Sequence, residues 1–85
     1  MVTGSQIRGA RAILRWSGET LAEKAGLGIQ TIKRLEAVDG VPPGRATTVL
    51  VVQRTLEAAG IEFIDENGGG PGVRLRARQQ SKKPK

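Results

Sequence analysis

The stretch Gly28-Ile29-Gln30-Thr31-Ile32-Lys33-Arg34 sets a carboxamide, a hydroxyl, an ammonium and a guanidinium within two turns of a short, apolar-periodic segment. These groups share one chemistry, the exchange of hydrogen bonds with base edges and phosphates. A Gln side chain pairs bidentately with adenine, Arg and Lys reach guanine or the backbone phosphates, and apolar side chains meet the thymine methyl. Gln30 is the best base reader on this logic, with Lys33 and Arg34 one turn further along. Ile29 either meets a thymine methyl or packs beside Leu27. Thr31 either contacts a base or has a structural role in the turn. Arg34 has a competing partner in the carboxylate of Asp39.

Other chemistries find few residues to work with. The 85 residues include no Cys and no His, so disulfides, thiolate or imidazole metal sites and the commonest general base are excluded. Glu57, Glu62, Asp65 and Glu66 read as solvated carboxylates and not as a metal site. Gly68-Gly69-Gly70 lacks the Lys-Ser or Lys-Thr and the following helix of a phosphate-binding loop. No enzymatic activity, cofactor or metal is expected.

The net charge of +6 favours a polyanionic partner. Its distribution is uneven. Residues 76–85 hold five of the 14 basic side chains and no acid, which leaves nine basic and eight acidic groups in residues 1–75. Recognition must therefore come from placed side chains more than from bulk attraction. Trp16 and Phe63 are the only aromatic residues, too few for stacking the bases of a single strand, and duplex DNA is the better target. The longest apolar run, Val49 to Val52, is far short of the roughly 20 residues that span a bilayer, and the start of the chain lacks the pattern of a signal peptide. A cytoplasmic protein is expected.

The elements that must hold these residues follow from periodicity and turn formers. Thr3-Gly4-Ser5-Gln6 has the form of a capping box ahead of Ile7, Ala10 and Leu14, which predicts a first helix from Gly4 to Arg15. Ser17 caps a second, short helix with Leu21, Ala22 and Ala25 on one face, stopped at Gly26. Gly28 is a weak cap for a third helix, Ile29 to Ala37, with Ile32 and Leu35 inward. Turn formers from Asp39 to Gly44 precede a fourth helix from Arg45 to Ala59, striped by Val49, Val52, Leu56 and Ala59. Ile61–Ile64 and Val73–Leu75 then form a small antiparallel hairpin or an irregular extension. This divides the chain into a helical unit of residues 1–60, a hairpin extension of 61–76 and a disordered basic tail of 77–85, which either grips phosphates or aids solubility. The second and third helices, about a tight Gly26-Leu27-Gly28 turn, have the spacing of a helix-turn-helix, the arrangement that frees the third helix to enter a major groove.

The residues from Ile7 to Glu36, IRGARAILRWSGETLAEKAGLGIQTIKRLE, resemble the XRE family of phage-repressor-like helix-turn-helix regulators. Arg11, Trp16-Ser17, Leu21-Ala22, Ala25-Gly26, Thr31-Ile32 and Arg34-Leu35-Glu36 carry the resemblance together. It implies a mainly α, lambda-repressor-like bundle of about four short helices, here with a C-terminal hairpin, acting as a bacterial or phage transcription regulator or repressor. It further implies a DNA-binding set of Gly28, Ile29, Gln30, Thr31, Lys33 and Arg34, with Arg45 near the backbone or the adjacent minor groove. Arg11 and Glu36 match a structural ion pair of the family, and Arg8 and Arg15 read as surface charges. Gly18 stands where the family commonly has a phosphate-binding Gln, and Gly28 where it has a capping Ser or Thr. A homodimer on an inverted-repeat operator is expected, joined through Ile61, Phe63, Val73 and Leu75 or through the edge of the fourth helix. The alternative is a protein-binding regulator, such as an antitoxin or antiactivator, on the same fold.

Overall fold

The computed structural model describes residues 2–65 and 68–76. The fold is mainly helical: α1 (Gly4–Leu14), α2 (Gly18–Ala25), α3 (Ile29–Glu36) and α4 (Ala46–Ala58) are followed by β1 (Ile61–Ile64) and β2 (Gly72–Leu75). The basic tail of 77–85 and the hairpin-loop residues 66 and 67 lie outside the described residues.

Helices α1 and α2 begin and end for local chemical reasons. The capping box of α1 is complete, with the Gln6 amide donating to Thr3 Oγ1 at 3.1 Å and the Thr3 amide to Gln6 Oε1 at 2.9 Å. The helix stops one residue earlier than its periodicity suggests, because Arg15 turns left-handed at φ 59° and the Trp16 N–H closes back onto the Arg11 carbonyl at 2.9 Å. Ser17 Oγ caps α2 by accepting from the Thr20 amide at 3.0 Å. Gly26, at φ 71°, makes the left-handed turn that ends α2, and the Leu27 amide bonds to the Ala22 carbonyl at 2.9 Å. Helices α3 and α4 are each shorter than their apolar patterns, α3 by one residue and α4 by one at either end.

Ile7, Leu21, Ile32, Val49, Val52, Leu56 and Ile61 are fully buried and form the centre of the core. All four helices and the first strand meet there, so α4 closes the helical triplet as its stripe predicts. The strands pair antiparallel in the register Ile61 to Leu75 and Phe63 to Val73, which puts these four side chains on one face. Phe63 and Val73 pack against the core on that face. Glu62 and Arg74 pair on the opposite face at 3.2 Å. Arg76, the last residue of the hairpin extension, folds back and donates to the Glu57 carbonyl at 2.9 Å, satisfying the end of α4. Among the described residues no helix is long and apolar enough to cross a membrane.

Two exposed ion pairs give the fold a defined acid response. Hydrogen bonds from Arg8 and the positive charge beside it hold the Asp39 carboxyl below its ordinary value, and Arg74 does the same to Glu62. A carboxyl lowered on folding contributes stability above its unfolded value, about pH 4, and loses that contribution as pH falls through its lower folded value. Because both sites are open to solvent, the net effect on stability is small. Carboxyl chemical shifts followed by NMR should show both midpoints below those of the unfolded chain, and midpoints at the free values would contradict the pairing.

Candidate nucleic-acid interface

Helix α3 turns Ile32 and Leu35 into the core and leaves Gln30, Lys33 and Arg34 exposed. These three positions share a face, since residues three and four apart lie one above another on a helix. Lys33 and Arg34 make no ion pair among the described residues. Asp39, the competitor for Arg34, is occupied by Arg8 at 2.7 Å. The Arg34 charge therefore stays on the surface beside Gln30.

The flanks of α3 gather most of the remaining predicted residues. Thr31, Arg34, Pro43, Gly44, Arg45 and Thr48 line a groove of about 290 Å³, so Arg45 at the start of α4 joins Thr31 and Arg34 on one side. On the other side Ser17, Gly18, Ile29 and Lys33 line a second groove of about 340 Å³ at the foot of α2. Ile29 is half-buried, packing against the core while it also lines this groove. Its Cδ1 lies 3.3 Å from where a Gly18 Cβ would stand. The absence of a side chain at position 18 thus leaves room for that of Ile29. Gly28 is exposed and offers no side-chain cap, which leaves the first backbone N–H groups of α3 to solvent or an anion.

If its beginning is loosely held, the end of α3 is firmly fastened. Arg11 grips Glu36 with two bonds of 2.8 Å, from Nε to Oε2 and from Nη2 to Oε1, and its Nη1 donates to the Trp16 carbonyl at 2.9 Å. The Glu36 side chain is 10% exposed and that of Arg11 25%, so this is the partly buried pair expected between α1 and α3. Hydrogen bonding to Glu36 raises the Arg11 pKa further above its ordinary value, and the guanidinium stays charged. Arg8 is more than the surface charge that the sequence suggests. It donates to the carbonyls of Glu36 and Val38 as well as to Asp39, capping α3 from across the fold.

Gln6 was also underestimated by sequence. Beyond its role in the capping box, its Nε2 donates to the Gly72 carbonyl at 2.9 Å and the Ile64 carbonyl at 3.2 Å, clasping both strands. The signal was its chemistry: a capping carboxamide uses its oxygen and keeps two donors to place. For Arg8 it was position, one turn before Arg11 on the same helix face.

The expected dimer contacts divide. Ile61 is fully buried in the core of a single chain, so it is removed from the set. Phe63 and Val73 are partly spent on the same core, whereas Leu75 is 41% exposed. On α4, Leu50 and Val51 are about equally exposed. No group of three or more carboxylates that could hold a metal ion is gathered among the described residues. What the α3 surface offers is hydrogen-bond donors and acceptors with fixed positive charge. A scan against protein-family models gives no match to this chain, and a search of curated proteins gives none either.

Proposed function

We propose that the protein is a transcription regulator of the XRE type that binds duplex DNA, setting α3 in the major groove of an inverted-repeat operator as a homodimer. The observation that carries this reading is the outward face of α3. Gln30, Lys33 and Arg34 stand exposed, and no ion pair among the described residues engages Lys33 or Arg34, on a helix whose far end is locked by Arg11 and Arg8. Gln30 supplies the adenine-type contact, Arg34 and Lys33 guanine or phosphate contacts, and Arg45 a backbone contact beside Thr31. The uncapped N–H groups after Gly28 suit a phosphate. With Ile29 drawn inward, the reading rests on the polar residues. Such a protein acts in the cytoplasm.

The test is selection of bound sequences from a random duplex library near physiological salt, with a Gln30→Ala, Arg34→Ala variant in parallel. The parent should enrich two half-sites whose centres lie about 34 to 36 Å apart, as a two-fold dimer requires. The variant should bind the winning sequence about 100-fold more weakly, since each good bidentate contact discriminates by about 1–3 kcal/mol. Enrichment of a lone half-site would remove the dimer, and no enrichment would remove the DNA-reading function.

A further inference from the structure

Away from α3, the C-terminal half of α4 forms one wall of an open groove of about 610 Å³ whose other wall is Trp16 and Lys24. Val51, Arg54 and Ala58 stand along the α4 wall. The Lys24 ammonium lies 5.3 Å from the centre of the Trp16 ring, a cation–π distance that fixes the charge at the rim. Neither Lys24 nor Arg54 forms an ion pair among the described residues. Val51 leaves 41% of its surface exposed between them. The groove therefore combines an apolar floor with two cations that no carboxylate among the described residues answers.

We propose that this groove docks an acidic, apolar peptide segment of a protein partner. Lys24 and Arg54 meet its carboxylates, and its apolar side chains cover Val51, Ala58 and the Trp16 ring. Charge selects this occupant. A second copy, with nine basic and eight acidic groups in residues 1–75, brings no net negative charge to a positive rim, and a DNA backbone would answer the cations but leave Val51 without an apolar partner. The groove is also too open to enclose a small molecule, which typically has about 70–90% of its surface buried when bound. Arg54 lies nine residues beyond Arg45, about 13 Å along the helix, so the site is separate from the α3 surface. This inference does not depend on what α3 binds.

The experiment is a selection of twelve-residue peptides from a random display library against the full chain, with binding read by the emission of Trp16, the only tryptophan. Enriched peptides should carry at least two Asp or Glu beside Leu, Ile or Phe and should shift that emission. A Lys24→Glu, Arg54→Glu variant should bind them at least tenfold more weakly, with the Gln pair intermediate and sequence selection on DNA unchanged. Both side chains are exposed, so each variant should melt with the parent, and the Gln pair serves if the charge reversal does not. The proposal is overturned by peptides without acidic enrichment, or by peptides that bind the reversed variant equally well. It is likewise overturned if reversal dissolves a self-associated form, which would make the occupant a second copy, or weakens all DNA sequences alike, which would make the groove a phosphate contact.

Discussion

Gly4→Ala should lower the thermal midpoint by about 15–20 °C, an unusual cost for adding one methyl group to the first turn of a helix. Local propensity argues the other way, since Ala in place of Gly usually stabilises a helix by about 0.5–1 kcal/mol. Packing decides the sign. A Cβ at position 4 would stand 1.9 Å from the Val38 carbonyl oxygen and 2.7 Å from that of Leu35, both backbone atoms that no rotamer change can move. Relief requires α1 to back away from the end of α3, which breaks the 2.9 Å bond from the Gly4 amide to the Gly40 carbonyl and loosens the reach of Arg8. Overpacking of this kind costs about 1–3 kcal/mol or more, and the lost bond about 1 kcal/mol. A net loss of about 3 kcal/mol gives the expected shift for a domain of this size. Gly28→Ser is the control, because nothing lies within 4 Å of a Cβ there, and it should gain a few tenths of a kcal/mol as a better cap. Calorimetry of the two variants checks both signs, and a midpoint raised by Gly4→Ala would refute the close contact between α1 and α3.

Arg11→Met should destabilise the protein by about 3 kcal/mol, while the Arg11→Met, Glu36→Leu double variant should recover most of that loss. The single change leaves a carboxylate at 10% exposure with both of its bonds to Arg11 removed, and it also strips the Trp16 carbonyl of its donor. Removing one member of a buried pair costs about 3–5 kcal/mol, and the partial exposure of Arg11 places this site at the lower end. Removing both leaves no stranded charge, and two apolar side chains can fill the same space. Urea unfolding of the two single variants and the double variant measures the coupling directly. Additive losses would mean that Arg11 acts through Trp16 and not through Glu36. Glu36 is the last residue of α3, so on the proposed function Arg11→Met should also weaken all DNA sequences by a similar factor, because it loosens the helix without touching a base reader.

The helices were legible because their determinants are local. Capping residues, the Gly26 turn and the spacing of Ile7, Ala10, Leu21, Ile32, Val49, Val52 and Leu56 lie within a few residues of what they define. The α3 surface was legible for the same reason, since Gln30, Lys33 and Arg34 are outward wherever Ile32 and Leu35 are inward. What the sequence hid was long-range. Arg8 reaches carbonyls 28 and 30 residues away, and Gln6 reaches 58 and 66 residues away, and no local pattern pairs such groups. Ile61 and Leu75 share one face of the hairpin, yet the first is buried and the second exposed, because strand alternation separates two faces without telling how far along a face the same chain covers it. The stripe of α4 separates Val49 and Val52, which are buried, from Val51, but no local pattern places Val51 in a groove with Trp16 and Lys24.

The clasp made by Gln6 also bears on the order of synthesis. Helix α1 leaves the ribosome before the hairpin does, yet its carboxamide must wait for the carbonyls of Ile64 and Gly72. Until Gly72 has been added, a nascent chain can coil every helix but cannot make both bonds from Gln6 that fasten α1 to the hairpin. Contacts of such high sequence separation slow folding, because the long intervening loop must close before they are rewarded. These two bonds therefore become available only after all four helices have been made, and a fragment ended at residue 60 would keep the bonds from Arg8 and Arg11 to the end of α3 but lose those from Gln6.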